Sequence, residues 1–143
     1  MKWPPTDLEI IEEIYNRYYD QFSSFSKDSA NRVSKIYVPI DIQSLANHFR
    51  VDGDILFGRL YYYLDRKYGF EQPDGTKVPF FSLRAGQDLN VVHFPLLASV
   101  LAQLRADHKK HLIATWLSVA AIVIALLSAG FSAAMALIGS GGS

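Results

Sequence analysis

The sequence predicts an α+β domain that passes into one long helix, the last part of which crosses a membrane. Three observations carry that expectation. Every Lys, Arg, Asp and Glu of the 143-residue chain lies at or before Lys110, so beyond it only His111 bears an ionisable side chain. Before that point, apolar residues recur at helical intervals in some stretches and in short β-branched runs in others, with Pro, Asp and Gly between them. From Leu112 to Ile138 the chain is a run of roughly 27 uncharged, mostly apolar residues, more than the roughly 20 that span a bilayer core.

Composition narrows the function classes. The 14 basic and 14 acidic side chains cancel, so no bulk field draws nucleic acid or anionic lipid to the chain. The absence of cysteine excludes disulfides, thiolate zinc sites and thiol nucleophiles. "MKWPPTDLEIIEEIY" lacks the apolar run of a secretory signal, so the charged domain is expected in the cytoplasm.

The first helix is announced by "PPTDLEIIEEIYNRYYDQF". Thr6 and Glu9 have capping-box spacing, and the prolines stop the helix extending backwards. Leu8, Ile11, Tyr15, Tyr18, Phe22 and Phe25 recur as one expected buried face, while Glu9, Glu12 and Glu13 suit the positive helix start as a solvated face. "SKIYVPI" reads as a short strand ended by Pro39. Asp41 is placed to cap a helix with Ile42, Leu45, Ala46 and Phe49 inward, and Asp54 to cap a second carrying Leu56, Leu60, Tyr63 and Leu64. Pro73-Asp74-Gly75 marks a hairpin turn between Phe70 and Val78, Phe80 and Phe81.

This order, with "LANHFRV" joined to "LFGRLYYYL" and a "PDG" wing, resembles a winged helix-turn-helix domain over about residues 6–84. One departure is Arg50, which stands where that family most often has glycine. DNA-reading members place the second helix in the major groove and the wing on phosphate. Here Arg59, Arg66 and Lys67 are opposed by Asp54 and Asp65, and Lys77 and Arg84 by Glu71 and Asp74, leaving little uncompensated positive charge for phosphate. Gln43, Asn47 and His48 belong to the first helix of the pair, not to the reading one.

Tyr61, Tyr62 and Tyr63 sweep about 200° around a helix, so they cannot all be buried. Tyr63 is the expected core member. Arg59, Tyr61, Tyr62, Arg66 and Lys77 then form the expected partner-binding surface, aromatic and hydrogen-bonding in character.

"LNVVHFPLLASVLAQLRADHKK" is expected to connect domain and bilayer, with Leu97, Val100, Leu101 and Leu104 as one helical stripe from about Phe94 onward. The expected divisions are a domain over 1–92, a connector over 93–111, a transmembrane helix over 112–138 and a tail over 139–143. Arg105, Lys109 and Lys110 precede the span and no basic residue follows it, so the positive-inside rule keeps the domain cytoplasmic. Trp116 sits near the entry, where indoles settle. The expected location is therefore a single-pass anchor in a membrane such as a bacterial inner membrane, with "GSGGS" beyond it. Within the span, Ser118, Ala121, Ala125, Ser128 and Ser132, with Ala129 and Ala136, fall within an arc of about 100°. Such a stripe lets helix backbones approach, with another copy or another membrane protein as partner.

No catalytic or metal-binding pattern emerges. His108 and His111 share a helix face, but no carboxylate or cysteine completes a site with them or with His48 and His93. Gly53, Gly58 and Gly69 are isolated, and no nucleophile elbow appears. The expectation is a non-enzymatic module without cofactor. Its domain recognises a cytoplasmic protein, and its span anchors and associates. Two other readings share these features: a membrane-perturbing effector of a toxin or anti-phage defence system, and a membrane-bound transcription regulator.

Overall fold

A computed structural model describes residues 3–26 and 32–141. Contacts divide the chain into two units, Met1–Leu104 and Arg105–Ser143. The first is a small α+β domain, and the second is a continuation of the last helix.

Helix α1 (Asp7–Ser23) opens with the expected capping box: Thr6 Oγ1 accepts from the Glu9 amide at 3.2 Å, and the Thr6 amide donates to Glu9 Oε2 at 2.7 Å. Its fully buried residues are Ile10, Ile11 and Ile14, and Leu8, Tyr15, Tyr18 and Phe22 flank them half-buried. The expected face is thus rotated toward the isoleucines. Tyrosines suit the flank because a phenol carries a polar tip, and that of Tyr18 accepts the Asp41 amide at 2.7 Å. Phe25 lies past the helix end, under the Arg32 guanidinium.

Strand β1 (Tyr37–Pro39) leads to α2 (Ile42–Phe49), capped as expected by Asp41, whose carboxylate accepts from the Ser44 amide at 2.9 Å. Leu45 and Ala46 point into the core. The helix ends at Arg50 in the left-handed region (φ 56°), and the Val51 amide closes back on the Ala46 carbonyl at 3.0 Å. The next helical stretch has three pieces: α3 (Gly53–Gly58), a π-helical segment (Arg59–Leu64) and α4 (Asp65–Tyr68). Its cap is Asp52, not Asp54: Asp52 Oδ1 accepts the Asp54 amide at 2.8 Å, because the helix already begins at Gly53.

The π segment alters which residues are buried. Leu56, Leu60 and Leu64 are at most 1% exposed, although residues four apart drift around an α-helix by about 40° per step. A wider turn holds them on one line, and such single-turn widenings are common at functional sites. Tyr63, the expected core member, is instead 46% exposed.

The sheet differs from the sequence reading in one more respect. Strands β2 (Phe70–Glu71) and β3 (Lys77–Val78) form a small separate ladder around the Pro73-Asp74-Gly75 turn, with Gly75 at φ 88°. Phe80 and Phe81 do not extend it. They leave for a three-stranded antiparallel sheet ordered β1-β5-β4, formed with β4 (Phe81–Ala85) and β5 (Asp88–His93). The hairpin that pairs with β1 therefore turns at Gly86-Gln87, and "LNVVH", read at the start of the stretch that joins domain and bilayer, is the central strand. Val92 meets Val38 on one side and Phe81 on the other. Of its six residues, Val91 and Val92 pair with both neighbouring strands, which satisfies their backbone groups without a helix and which the apolar pair alone did not announce.

Helix α5 (Phe94–Ser140) follows β5 directly. Its first turns complete the core: Phe94, Leu97 and Leu101 are buried, and the Phe94 ring stacks on Phe22 at 4.7 Å and Tyr15 at 5.5 Å. The compact unit thus runs to Leu104, past the expected end at 92. In the second unit every described residue is exposed, and the apolar stretch of α5 has none of its residues buried in protein. It is long and apolar enough to cross a membrane.

Arg50 is solvent-exposed and makes no packing contribution to the core, so its left-handed backbone is the dominant energetic consequence of its identity. Arg50→Gly is expected to stabilise the domain by about 0.5–1 kcal/mol, read as an increased denaturation midpoint with an unchanged slope.

Candidate functional site

The 53–68 helix has one buried line, Leu56-Leu60-Leu64, and its opposite side faces solvent. Asp54, Ile55, Tyr62 and Arg66 are exposed there, Tyr62 at 71%. Phe57 and Tyr61 stack at 5.5 Å, and Tyr61 meets Tyr62 edge-on at 4.8 Å, giving a short aromatic row. Gly58 lies beneath the Tyr62 ring: a β-carbon there would sit 3.8 Å from the Tyr62 Cδ2. Aromatic surface of this kind, held rigid by ring packing, is what protein contacts favour.

The five residues expected to form the partner surface do not all reach it. Tyr61, Tyr62, Arg66 and Lys77 are exposed. Arg66 and Lys77 line a shallow polar cleft of about 500 Å³ with Asp65, Glu71 and Phe70, and among the described residues neither makes an ion pair. Arg59 is committed elsewhere. Its guanidinium donates to the Pro5 carbonyl at 2.9 Å and to Asp7 Oδ1 at 2.6 Å, with its face over the Tyr63 ring.

Asp7 is the hub that sequence reasoning missed. Besides Arg59 it accepts from Lys67 Nζ at 2.8 Å and the Tyr68 hydroxyl at 3.1 Å. Burial works against ionisation of Asp7, but the hydrogen bonds from Lys67, Arg59 and Tyr68 outweigh it and hold its carboxyl below the usual range. The hydrogen bond to Asp7 likewise holds the Lys67 ammonium above its ordinary value. Partners 52 to 61 residues apart leave no local signal in a sequence. The opposing charges expected for Arg59 and Lys67, Asp54 and Asp65, are thus not their partners. Asp65 serves the backbone: its Oδ1 accepts the Phe80 and Phe81 amides at 2.8 and 3.1 Å, fixing where the chain enters the main sheet.

A second unforeseen residue is His93, at the junction of β5 and α5. Its Nδ1 accepts the Leu96 amide at 3.1 Å, as a capping side chain would, and Tyr37 packs edge-on against the ring at 5.3 Å. Burial lowers the His93 pKa from its ordinary value. His48 stands elsewhere, 3.5 Å from Glu13. Among the described residues no three His, Asp or Glu side chains gather as a metal site would need.

In the second unit, Ser118, Ala121, Ala125, Ser128, Ala129, Ser132 and Ala136 lie exposed along α5. The Thr115 and Ser118 hydroxyls donate to carbonyls one turn back, at 2.9 and 3.0 Å, which satisfies them within the helix. Lys109, Lys110 and Trp116 are exposed ahead of the most apolar part, and Arg105 opens the unit.

Neither family models, nor curated proteins, nor solved structures yield a match to this chain.

Asp7→Ala should remove three charge-assisted contacts at once and cost about 1.5–3 kcal/mol of domain stability in chemical denaturation. His93 gives a pH dependence of defined sign. Because its folded pKa is depressed, its contribution is complete above the ordinary imidazole value of about 6.5 and is lost as pH falls through the folded value. Denaturation midpoints compared at pH 7.5 and 5.5 should fall with acid. His93→Asn, which keeps an acceptor that does not titrate, should flatten that part of the difference.

Proposed function

We propose that this chain is a membrane-tethered, non-catalytic recognition module. Its N-terminal unit is read as a winged helix-turn-helix domain that presents the 53–68 helix to a cytoplasmic protein. Its α5 tail is read as a single-pass anchor that associates through the small-residue stripe.

The domain reading is supported by the element order: helix, strand, two helices across a tight turn, then a hairpin whose second strand pairs with the first strand. The partner reading is carried by one observation. The outward side of the 53–68 helix is aromatic, and two of its cations, Arg59 and Lys67, are neutralised internally by Asp7. DNA affinity needs cations free to displace counterions from phosphate, and the carboxylates of Asp52 and Asp54 at the start of this helix would oppose that. Protein contact needs desolvated aromatic anchors, which Tyr61 and Tyr62 supply. Anchoring is supported by the length and hydropathy of α5, and a cytoplasmic domain by the basic residues Arg105, Lys109 and Lys110 on its near flank.

The test uses the full chain in membranes, with a photo-reactive benzophenone amino acid at position 62. Irradiation should give a discrete protein adduct that persists after nuclease treatment, and carbonate extraction should leave the chain in the membrane pellet. A chain that binds duplex DNA with a steep inverse dependence on salt, and gives no protein adduct, would overturn the reading in favour of a DNA-binding regulator.

A further inference from the structure

We infer that the partner of the 53–68 helix is a second copy of this chain, docked antiparallel about a twofold axis that passes between Gly58 and Tyr62, at the level of residue 60 along the helix. The inference rests on reading that helix face as a protein-binding surface and goes on to name what it binds.

Asp54, Gly58, Tyr62 and Arg66 are successive members of one row four residues apart, on the side of the helix opposite the buried leucine row. Such rows are the ridges along which helices pack. The chemistry along this one is ordered: a carboxylate, a gap, an aromatic ring, a guanidinium. In a twofold antiparallel pair, residues equidistant from the axis on either side face each other, because the same patch must complement itself. With the axis between Gly58 and Tyr62, Asp54 of one copy meets Arg66 of the other, and Gly58 meets Tyr62. Both contacts then occur twice. The charges that would pair are the ones available: among the described residues neither Asp54 nor Arg66 has an ion-pair partner, whereas Arg59 and Lys67 are held by Asp7.

The middle of the row is shaped for close approach. Gly58 carries no side chain, and the Tyr62 ring lies beside it, its Cδ2 3.8 Å from where a β-carbon would stand. The Gly58 and Tyr62 of the two copies meet at the axis, with Ile55, 58% exposed, at the edge of the contact. A parallel arrangement of the two helices would instead set Asp54 against Asp54 and Arg66 against Arg66. Confinement to one membrane raises the effective concentration of copies, so a face of modest size suffices for association.

Charge reversal tests this. In the full chain in native membranes, the benzophenone amino acid at position 62, which keeps an aromatic ring there, provides the crosslinking site. Crosslinked dimer is expected from that chain and not when the benzophenone replaces Gln87 in the β4–β5 turn. Adding Asp54→Arg, or Arg66→Asp, should each lower the dimer yield about tenfold, since each places like charges at both contacts. Co-expressing the two single reversals should restore the yield as a mixed dimer, and so should both reversals in one chain; recovery also shows that the variants fold. Dimer yield indifferent to either reversal, or failing to return on mixing, overturns the inference. A position-62 photo-adduct with a different protein also overturns it, while leaving the face as a binding surface. Loss of every adduct at position 62 removes both readings.

Discussion

The need to bury Leu56, Leu60 and Leu64 along one line governs the domain more than any other constraint. An α-helix cannot hold three residues at a spacing of four on a single buried line without drift, and the π-helical turn over Arg59–Leu64 removes the drift. The consequence is felt on the far side. Tyr61, Tyr62 and Tyr63 all face solvent there, and Tyr62 lies beside Gly58 in the row from Asp54 to Arg66. Packing inside the helix thus sets the chemistry displayed outside it.

Two carboxylates fix this helix in place by unlike means. Asp7 reaches from the start of α1 and gathers Arg59, Lys67 and Tyr68, so the ends of two helices distant in sequence are held by charge-assisted bonds. Asp65 gathers no cation and instead receives two backbone amides at the entry to β4. Polar groups that would otherwise be left unsatisfied where a hairpin gives way to a sheet are met by one side chain. Both acids look, in a linear reading, like members of a balanced surface. Their neighbours in space show that balance of charge on a sequence and pairing of charge in a fold are different quantities.

What was legible in the sequence was local. The Thr6–Glu9 capping box, the Asp41 cap, the turn at Gly75, the α5 helix beginning at Phe94 and its apolar run all follow from rules that act over a few residues. What was not legible depended on partners far along the chain. Strand β5 is short and rich in valine, and only its pairing with β1 and β4 distinguishes it from the start of a helix. Tyr63 was assigned to the core from α-helical spacing, which the π turn does not obey. Of the expected surface, Tyr61, Tyr62, Arg66 and Lys77 are displayed, and Arg59 is withdrawn by an acid 52 residues away.

The passage from β5 to α5 contains no spacer: His93 closes the strand and Phe94 opens the helix. Phe94 is wedged against Phe22 and Tyr15, and the first helical turn hangs from the imidazole of its predecessor. One residue added at that joint would turn the first turns of α5 by about 100° and advance them by about 1.5 Å. Leu97 and Leu101 would then swing out of the core they complete. Changes in chain length can be absorbed at the Gly75 and Gly86 turns, but the joint itself has a fixed phase, as a keyed shaft does.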